Sequence, residues 1–415
     1  MIMKTSIIKW NFWWSNPDKL NDFEWVERDI LKHTISLMES PHIKDIIGVR
    51  RSGKTFLMYQ IISHLIQAGV KPGEILYLNF DDPEFKEIKK TISMALEIKP
   101  EIKYAFLDEI QNVPEWEKDI RVYYDRKEFK QIFVSGSSAS LISRDVGKTL
   151  TGRHITIPVA PFSFKEFLSK HNVDYGDPFQ KEKVAHYLEL FLQEGGFPET
   201  LSGKVVTKEP ILVNTYNDIL LRDVVSRFNA DSETAKKLAH YLMTNIGNPF
   251  SENSIAKTIN VHNETVKKYL SMLSEVFLFY YILQFSWKVR VQLKKDMKCY
   301  SIDNGLRNAV SFKFSTDSGK LAENTVLAEL KRRGKEVYFW KGKKEVDFIV
   351  REGDKLTAIN VAYTDTPHKR ETEGLMEFKE KYSNSELNLI TKELEQTEEG
   401  INYIPLWKWL LDVKH

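Results

Sequence analysis

Short apolar runs alternate with amphipathic stretches through the first third of the chain. Residues 45–47 (D-I-I) read as the end of a buried strand, and residues 56–67 repeat their apolar positions at helical spacing. Further apolar runs at 77–80, 102–107 and 131–134 predict more strands of one parallel sheet, so this region reads as α/β. From 162 to 227 the period turns helical: Phe164, Phe167 and Leu168 recur at that spacing, as do Tyr187, Leu188, Phe191 and Leu192. Gly195-Gly196-Phe197-Pro198 interrupts this stretch. Residues 251–283 have a helix–turn–helix rhythm: a short helix at 254–259, a turn at 260–262, a second helix at 263–273, then a strand at 277–285. In the second helix Val266, Leu270 and Leu273 are expected to face the core, leaving Thr265, Lys268 and Tyr269 on the outer face. The last third predicts a strand at 298–302, a helix at 323–330 and strands at 337–340, 345–350 and 357–361. Beyond Lys369 the chain is charged and reads as largely helical, with a last amphipathic piece at 406–411.

Composition narrows the class. At 415 residues the chain is expected to hold about two to four domains. With 42% hydrophobic and 28% charged residues it has the balance of a globular protein rather than a disordered one. The one cysteine, Cys299, excludes an intramolecular disulfide and a cysteine metal cluster, which fits a reducing cytoplasm. The most apolar run, 276–283, is far shorter than the roughly 20 residues that span a bilayer, and the N-terminus has no secretory pattern, so no membrane partner is expected. Trp10, Phe12, Trp13 and Trp14 are expected to pack beside the first domain rather than lie on a membrane. A net charge of +2 leaves any nucleic-acid argument to local charge.

The chemistry begins at Gly48-Val49-Arg50-Arg51-Ser52-Gly53-Lys54-Thr55, followed by Phe56. This G-x-x-x-x-G-K-T lies between a predicted strand and a predicted helix, the context a phosphate-binding loop requires. Glycine at 48 and 53 lets the backbone curl so that successive N–H groups point at phosphate oxygens, reinforced by the helix dipole. Lys54 is expected at the β- and γ-phosphates, and the Thr55 hydroxyl on Mg²⁺. Asp108-Glu109 closes the strand at 102–107. There Asp108 is placed to hold Mg²⁺ and Glu109 to polarise the attacking water. Ser135-Gly136-Ser137-Ser138 ends the next strand; hydroxyls there, Ser137 in particular, can sense the γ-phosphate or orient the water, or simply cap a turn.

With these residues the chain resembles a family of prokaryotic, especially archaeal, AAA+-type ATPases. The matching segments are G-V-R-R-S-G-K-T, A-F-L-D-E-I-Q, V-S-G-S-S-A-S-L, L-T-G-R at 150–153, P-F-S-F-K-E-F from Pro161 and G-G-F-P-E from Gly195. L-R-D-V from Leu221, D-N-G-L from Asp303, E-N from Glu323 and E-V-D-F-I-V from Glu345 extend the match to about residue 350. The resemblance implies an AAA+ core (1–162), a helical lid (163–230) that would move with nucleotide state, a winged helix (231–297) and a restriction-nuclease-like α/β domain (298–415). Adenine preference, hence ATP and ADP as ligands, rests on the resemblance. Arg153, where the family pattern also has an arginine, is favoured over Arg222 and Arg227 to stabilise transferring phosphoryl charge. Acting in trans it would require a homo-oligomer.

Two features bear on output. Residues 254–300 hold eight Lys or Arg against three acids, a local balance of +5 that favours phosphate contacts, so DNA is an expected partner of the winged helix. In the last domain Glu323 and Asp347 match the first two positions of a metal-dependent nuclease, but the acid-x-Lys expected next reads Asn360-Val361-Ala362. Cutting is therefore not expected unless Lys355 or another residue stands in, although Lys341, Lys343, Lys344 and Arg351 can still hold a phosphate backbone. The leading expectation is a Mg²⁺-dependent ATPase acting on DNA or a DNA-bound partner. A slow nucleotide-gated binding protein and an ATP-dependent nuclease or defence effector are the alternatives.

Overall fold

In the computed structural model, which describes residues 2–138, 150–201, 207–292, 296–311 and 318–412, the chain is α/β and forms two compact units, Met1–Ala160 and Pro161–His415. The first unit is built on five parallel strands: β1 (Ile43–Ile47), β2 (Ile75–Asn79), β3 (Tyr104–Asp108), β4 (Gln131–Gly136) and β5 (His154–Pro158), in the order β2-β3-β4-β1-β5. β1, β3 and β4 are buried along their whole length, as strands covered on both faces must be, which explains their near-continuous apolar runs. The N-terminal helix α1 (Ile2–Trp10) leads to the aromatic group, which covers the edge strand β2. Asn11 Oδ1 accepts from Tyr77 N (2.7 Å) and its Nδ2 donates to Tyr77 O (2.8 Å). The indoles of Trp13 and Trp14 both donate to Ile75 O. Side chains thus use the edge groups that another strand would otherwise pair. Among the described residues no helix is long and apolar enough to cross a membrane.

In the second unit α2 (Phe164–Lys170), α3 (Lys181–Glu194) and α4 (Glu209–Asp218) come first, and α4 runs on into a π-helical stretch, Ile219–Ser226, containing the L-R-D-V segment. α5 (Ser232–Thr244), α6 (Glu252–Ile259) and α7 (Asn263–Glu275) pack with an antiparallel sheet of β6 (Pro249–Phe250), β7 (Phe279–Leu283) and β8 (Met297–Ser301), ordered β6-β8-β7. The strand expected to open the last domain therefore pairs instead with the helix–turn–helix segment, Phe279 to Ser301 and Leu283 to Met297. α8 (Asn304–Val310) and α9 (Ser318–Arg332) precede a six-stranded mixed sheet. Its strands are β9 (Glu336–Lys341), β10 (Glu345–Glu352), β11 (Lys355–Ala362), β12 (Ser385–Thr391), β13 (Gln396–Glu398) and β14 (Ile401–Pro405).

Beyond Lys369 the expectation of a largely helical tail is corrected. After α10 (Lys369–Lys381) come three strands, with β12 lying between β11 and β14 in parallel. Covered on both sides, β12 reads Ser385-Glu386-Leu387-Asn388-Leu389-Ile390, an apolar run too short to stand out from the surrounding charge. A last helix, α11 (Leu406–Leu411), closes the unit.

Candidate active site

The octapeptide leaves the C-terminal end of β1 and enters the helix Lys54–Gln67 that follows it in the first unit. Glycine is required at both of its glycine positions. A Cβ on Gly48 would lie 2.0 Å from Val159 O, and Gly53 holds φ +96° at the helix cap. Arg51 also adopts a left-handed φ of +65°. Val49 is fully buried and Ser52 is buried, while Arg50 and Arg51 are partly exposed around the loop. Lys54 is buried, donating to Gly48 O (3.1 Å) and Val49 O (3.2 Å), so its ammonium stays over the loop. Phe56 is exposed on the first helical turn beside Phe23, at a ring distance of 6.1 Å.

Register brings the acid to the loop. β4 lies between β1 and β3, and Asp108 ends β3 fully buried. Its Oδ2 accepts from Thr55 Oγ1 and Tyr77 OH, both at 2.6 Å. Its Oδ1 accepts from Ser135 Oγ and from Glu109 N (3.1 Å). Burial pushes its carboxyl above the usual range, Glu109's charge adds to the rise, and the hydroxyl donors oppose it. A buried carboxylate 2.6 Å from a threonine hydroxyl fits a hard divalent cation, which would repay the desolvation that neutral hydroxyls offset only in part. Glu109 turns away from the strand with φ +52° and its carboxylate accepts from Gln111 Nε2. Ser137 is buried at the same sheet edge. Ala139, Ser140 and Leu141 of the V-S-G-S-S-A-S-L segment lie outside the described residues.

Two residues complete the site without having been singled out in the sequence. Tyr77 lies one strand away, where Asn79 pairs with Asp108. Arg28, 3% exposed, donates to Ser52 O (2.8 Å) and Ala160 O (2.7 Å). In a trans peptide the Ser52 carbonyl and the Gly53 N–H point in opposite directions, so holding that oxygen from behind aims the amide into the loop. Only an Arg-to-motif pairing in space reveals this; nothing local to residue 28 signals it.

Arg153 is not part of this cluster. Its carbonyl accepts from Ile43 N at the start of β1, and its guanidinium donates to Asp125 (2.9 Å). The loop leaves the other end of that five-residue strand, about 16 Å away at 3.3 Å per residue. Arg153 therefore does not reach the phosphates of its own chain. In the second unit Arg222 is exposed and pairs with Asp218 (3.6 Å).

The same unit revises the outer face of the helix–turn–helix. Tyr269 is buried and its hydroxyl accepts from Asp231 N (2.7 Å), so it belongs to the stripe of Val266, Leu270 and Leu273 rather than to a groove-facing surface. Lys268 is exposed, whereas Lys267 pairs with Glu264 and Glu252. The G-G-F-P, D-N-G-L and E-N segments, far apart in sequence, meet in one clasp. Asp303 accepts from Gly196 N (2.7 Å) and Leu306 N (2.9 Å). Gly196 O accepts from Phe162 N, and Asn324 bonds both Ser301 and Asn304. A Cβ on Gly305 would lie 1.9 Å from Glu194 O, which explains the glycine. Burial pushes the Asp303 carboxyl up to about 6 against these backbone donors.

In the last sheet Glu323 and Asp347 do come together, and Asn360 sits beside them: its Oδ1 accepts from Asp347 N (2.9 Å) and its Nδ2 donates to Glu371 O (2.8 Å). Ala362 is buried in the core. Lys355 starts β11, five residues before Asn360, and pairs with Glu386 (3.0 Å), so it does not stand in for the missing lysine. Among the described residues no group of three or more His, Cys, Asp or Glu is arranged to hold a metal ion.

Known proteins match along most of the chain. A family model described as an AAA domain matches residues 40–168, and two domains of unknown function, DUF8612 and DUF4143, match 185–317 and 318–409. An uncharacterized protein of Haemophilus influenzae is 34% identical over 396 residues, covering 92% of this chain and 97% of its own. One from Methanocaldococcus jannaschii is 32% identical over 401 residues, covering 89% and 88%. The solved structure of the Aeropyrum pernix ORC1 protein in complex with DNA aligns with 77% of this chain and 97% of its own, at 14% identity and a TM-score of 0.31, too low to transfer fold or function. The chain belongs to the family of AAA-domain P-loop proteins that includes these Haemophilus and Methanocaldococcus relatives.

Proposed function

We propose that the chain is a Mg²⁺-dependent ATPase whose hydrolysis drives a conformational change acting on DNA or a DNA-bound partner. The observation that carries the enzymatic part is the Thr55 hydroxyl 2.6 Å from the buried Asp108 carboxylate, at the mouth of a loop with Lys54 on it and Glu109 next to it. In this reading Thr55 and Asp108 would hold the metal ion, which would supply positive charge beside the phosphates. Gly48 to Lys54 bind the phosphates. Arg28 keeps the Ser52–Gly53 peptide oriented, and Ser135 and Tyr77 hold Asp108 in place. Glu109 accepts the proton of the attacking water. Ser137 acts at the γ-phosphate edge. Arg153, placed away from its own loop, acts only on a neighbouring chain's nucleotide, so this role requires an oligomer.

The DNA part rests on the exposed Lys257 and Lys268 of the helix–turn–helix segment and on Lys288 and Arg290 beyond β7. It is weaker than the local charge of +5 suggests, because Lys298 is buried and Lys267 is paired with two acids. Phosphate release with ATP and Mg²⁺, measured with and without single- and double-stranded DNA, tests both parts. Hydrolysis stimulated by DNA supports the whole reading. Hydrolysis indifferent to DNA removes the DNA part, and no hydrolysis in either condition removes the enzymatic part.

A further inference from the structure

Lys298 is the second residue of β8 and is 1% exposed. Its ammonium is 2.7 Å from Glu345, 3.5 Å from Glu323 and 3.7 Å from Asp347. The three carboxylates come from α9 and β10, so helix, sheet and the neighbouring three-stranded sheet converge on one nitrogen. Two of the carboxylates have further partners, Glu323 on the same Oε1 that faces the ammonium and Asp347 on its other oxygen. Glu323 accepts from Tyr300 OH (2.6 Å), two residues along the same strand as Lys298, and Asp347 accepts from Val361 N (3.0 Å). On the far side Asn360 and Glu371 close the cluster. A fully buried ammonium is sustained only where its desolvation is offset by opposite charge, and here three carboxylates outweigh the burial that would otherwise lower its pKa.

A divalent cation bound by Glu323, Glu345 and Asp347 would need their oxygens at about 2.0–2.6 Å around one point. The four-carbon stem of Lys298 leads into that point and its nitrogen occupies it. We infer that this is a cation site filled by the chain's own ammonium, so that the carboxylate cluster of the second unit takes no divalent metal ion while Lys298 is present. The Glu345 side chain is 35% exposed, which leaves solvent ions a route to the cluster; access is not what keeps metal out. Besides holding the place of a metal, the ammonium ties β8 to α9 and β10.

Manganese binding to the nucleotide-free full-length protein, followed by electron paramagnetic resonance of free Mn²⁺, tests this. Wild type and Glu345→Gln are expected to bind the same number of ions, because no ion sits at this cluster. Lys298→Ala is expected to gain one Mn²⁺ per chain, and Lys298→Ala combined with Asp347→Asn to lose it again. Lys298→Met, which retains the volume of the stem, serves if the alanine variant does not fold. A Mn²⁺ ion bound by the wild type and removed by Glu345→Gln overturns the inference, as does a folded Lys298 variant that gains none. Should neither Lys298 variant fold, the wild-type and Glu345→Gln pair decides alone.

Discussion

Two carboxylates, the fully buried Asp108 in the first unit and the partly buried Asp347 in the second, meet opposite partners. Asp108 is surrounded by neutral donors, the hydroxyls of Thr55, Tyr77 and Ser135 and the amide of Glu109. Asp347 lies with Glu323 and Glu345 around a fixed ammonium. Neutral hydroxyls can turn their lone pairs to an arriving cation, whereas a lysine already supplies the charge. The first arrangement is suited to bind and release a metal–nucleotide complex through a cycle, and the second to remain as it is. One fold can thus carry two acidic clusters of similar composition and different use, decided by whether a cation is built in.

The two lysines make the sharpest contrast. Lys54→Ala should abolish nucleotide binding, seen by fluorescent-nucleotide titration, while changing thermal stability by only about 1 kcal/mol, since its ammonium meets only loop carbonyls. Lys298→Ala should instead leave three carboxylates uncompensated and lower the stability of the second unit by about 3–5 kcal/mol. A denaturant titration showing the reverse order would break the comparison. Smaller is the effect of Tyr77→Phe, which removes one of Asp108's donors: about 1.5–3 kcal/mol, read by the same titration.

A further effect is in pH. Burial first, and Glu323's charge next, push the Asp347 carboxyl from its ordinary 3.8 up to about 7. A proton held more tightly in the folded than in the unfolded state stabilises fully below 3.8, and that stabilisation is lost as pH rises through about 7. The groups facing it are Glu323, Glu345 and Lys298, and the carboxylates around Lys298 keep that ammonium charged throughout the window. The melting temperature of the wild type should therefore fall more steeply between those values than that of Asp347→Asn. Equal slopes would mean that Asp347 does not titrate as the cluster requires.

The first of these clusters was legible in the sequence and the second only in its Glu323–Asp347 pair, without the ammonium between them, for a physical reason. A phosphate loop is local: its glycines, lysine and threonine are contiguous, and Asp108-Glu109 follows at the end of an apolar run that itself marks the strand. What register supplies was hidden. Tyr77 read only as a strand residue, and Arg28 preceded any motif. Lys298 counted as one charge of a basic stretch, because its partners lie at 323, 345 and 347. Tyr269 at i+3 from Val266 fitted the apolar stripe by spacing, yet an aromatic with a hydroxyl reads equally as a surface contact until Asp231 is seen to bond it. The glycines of the G-G-F-P segment admit Asp303 and Phe162 at distances a Cβ would block, partners that lie far off in sequence.

The assignment of the first unit as a hydrolase stands most directly on Glu109. Single-turnover ATP hydrolysis by Glu109→Gln, with binding of the same nucleotide measured alongside, separates the base from the cradle. Retained binding with hydrolysis slowed by about 10²–10⁴-fold is the expected result; hydrolysis at the wild-type rate contradicts it.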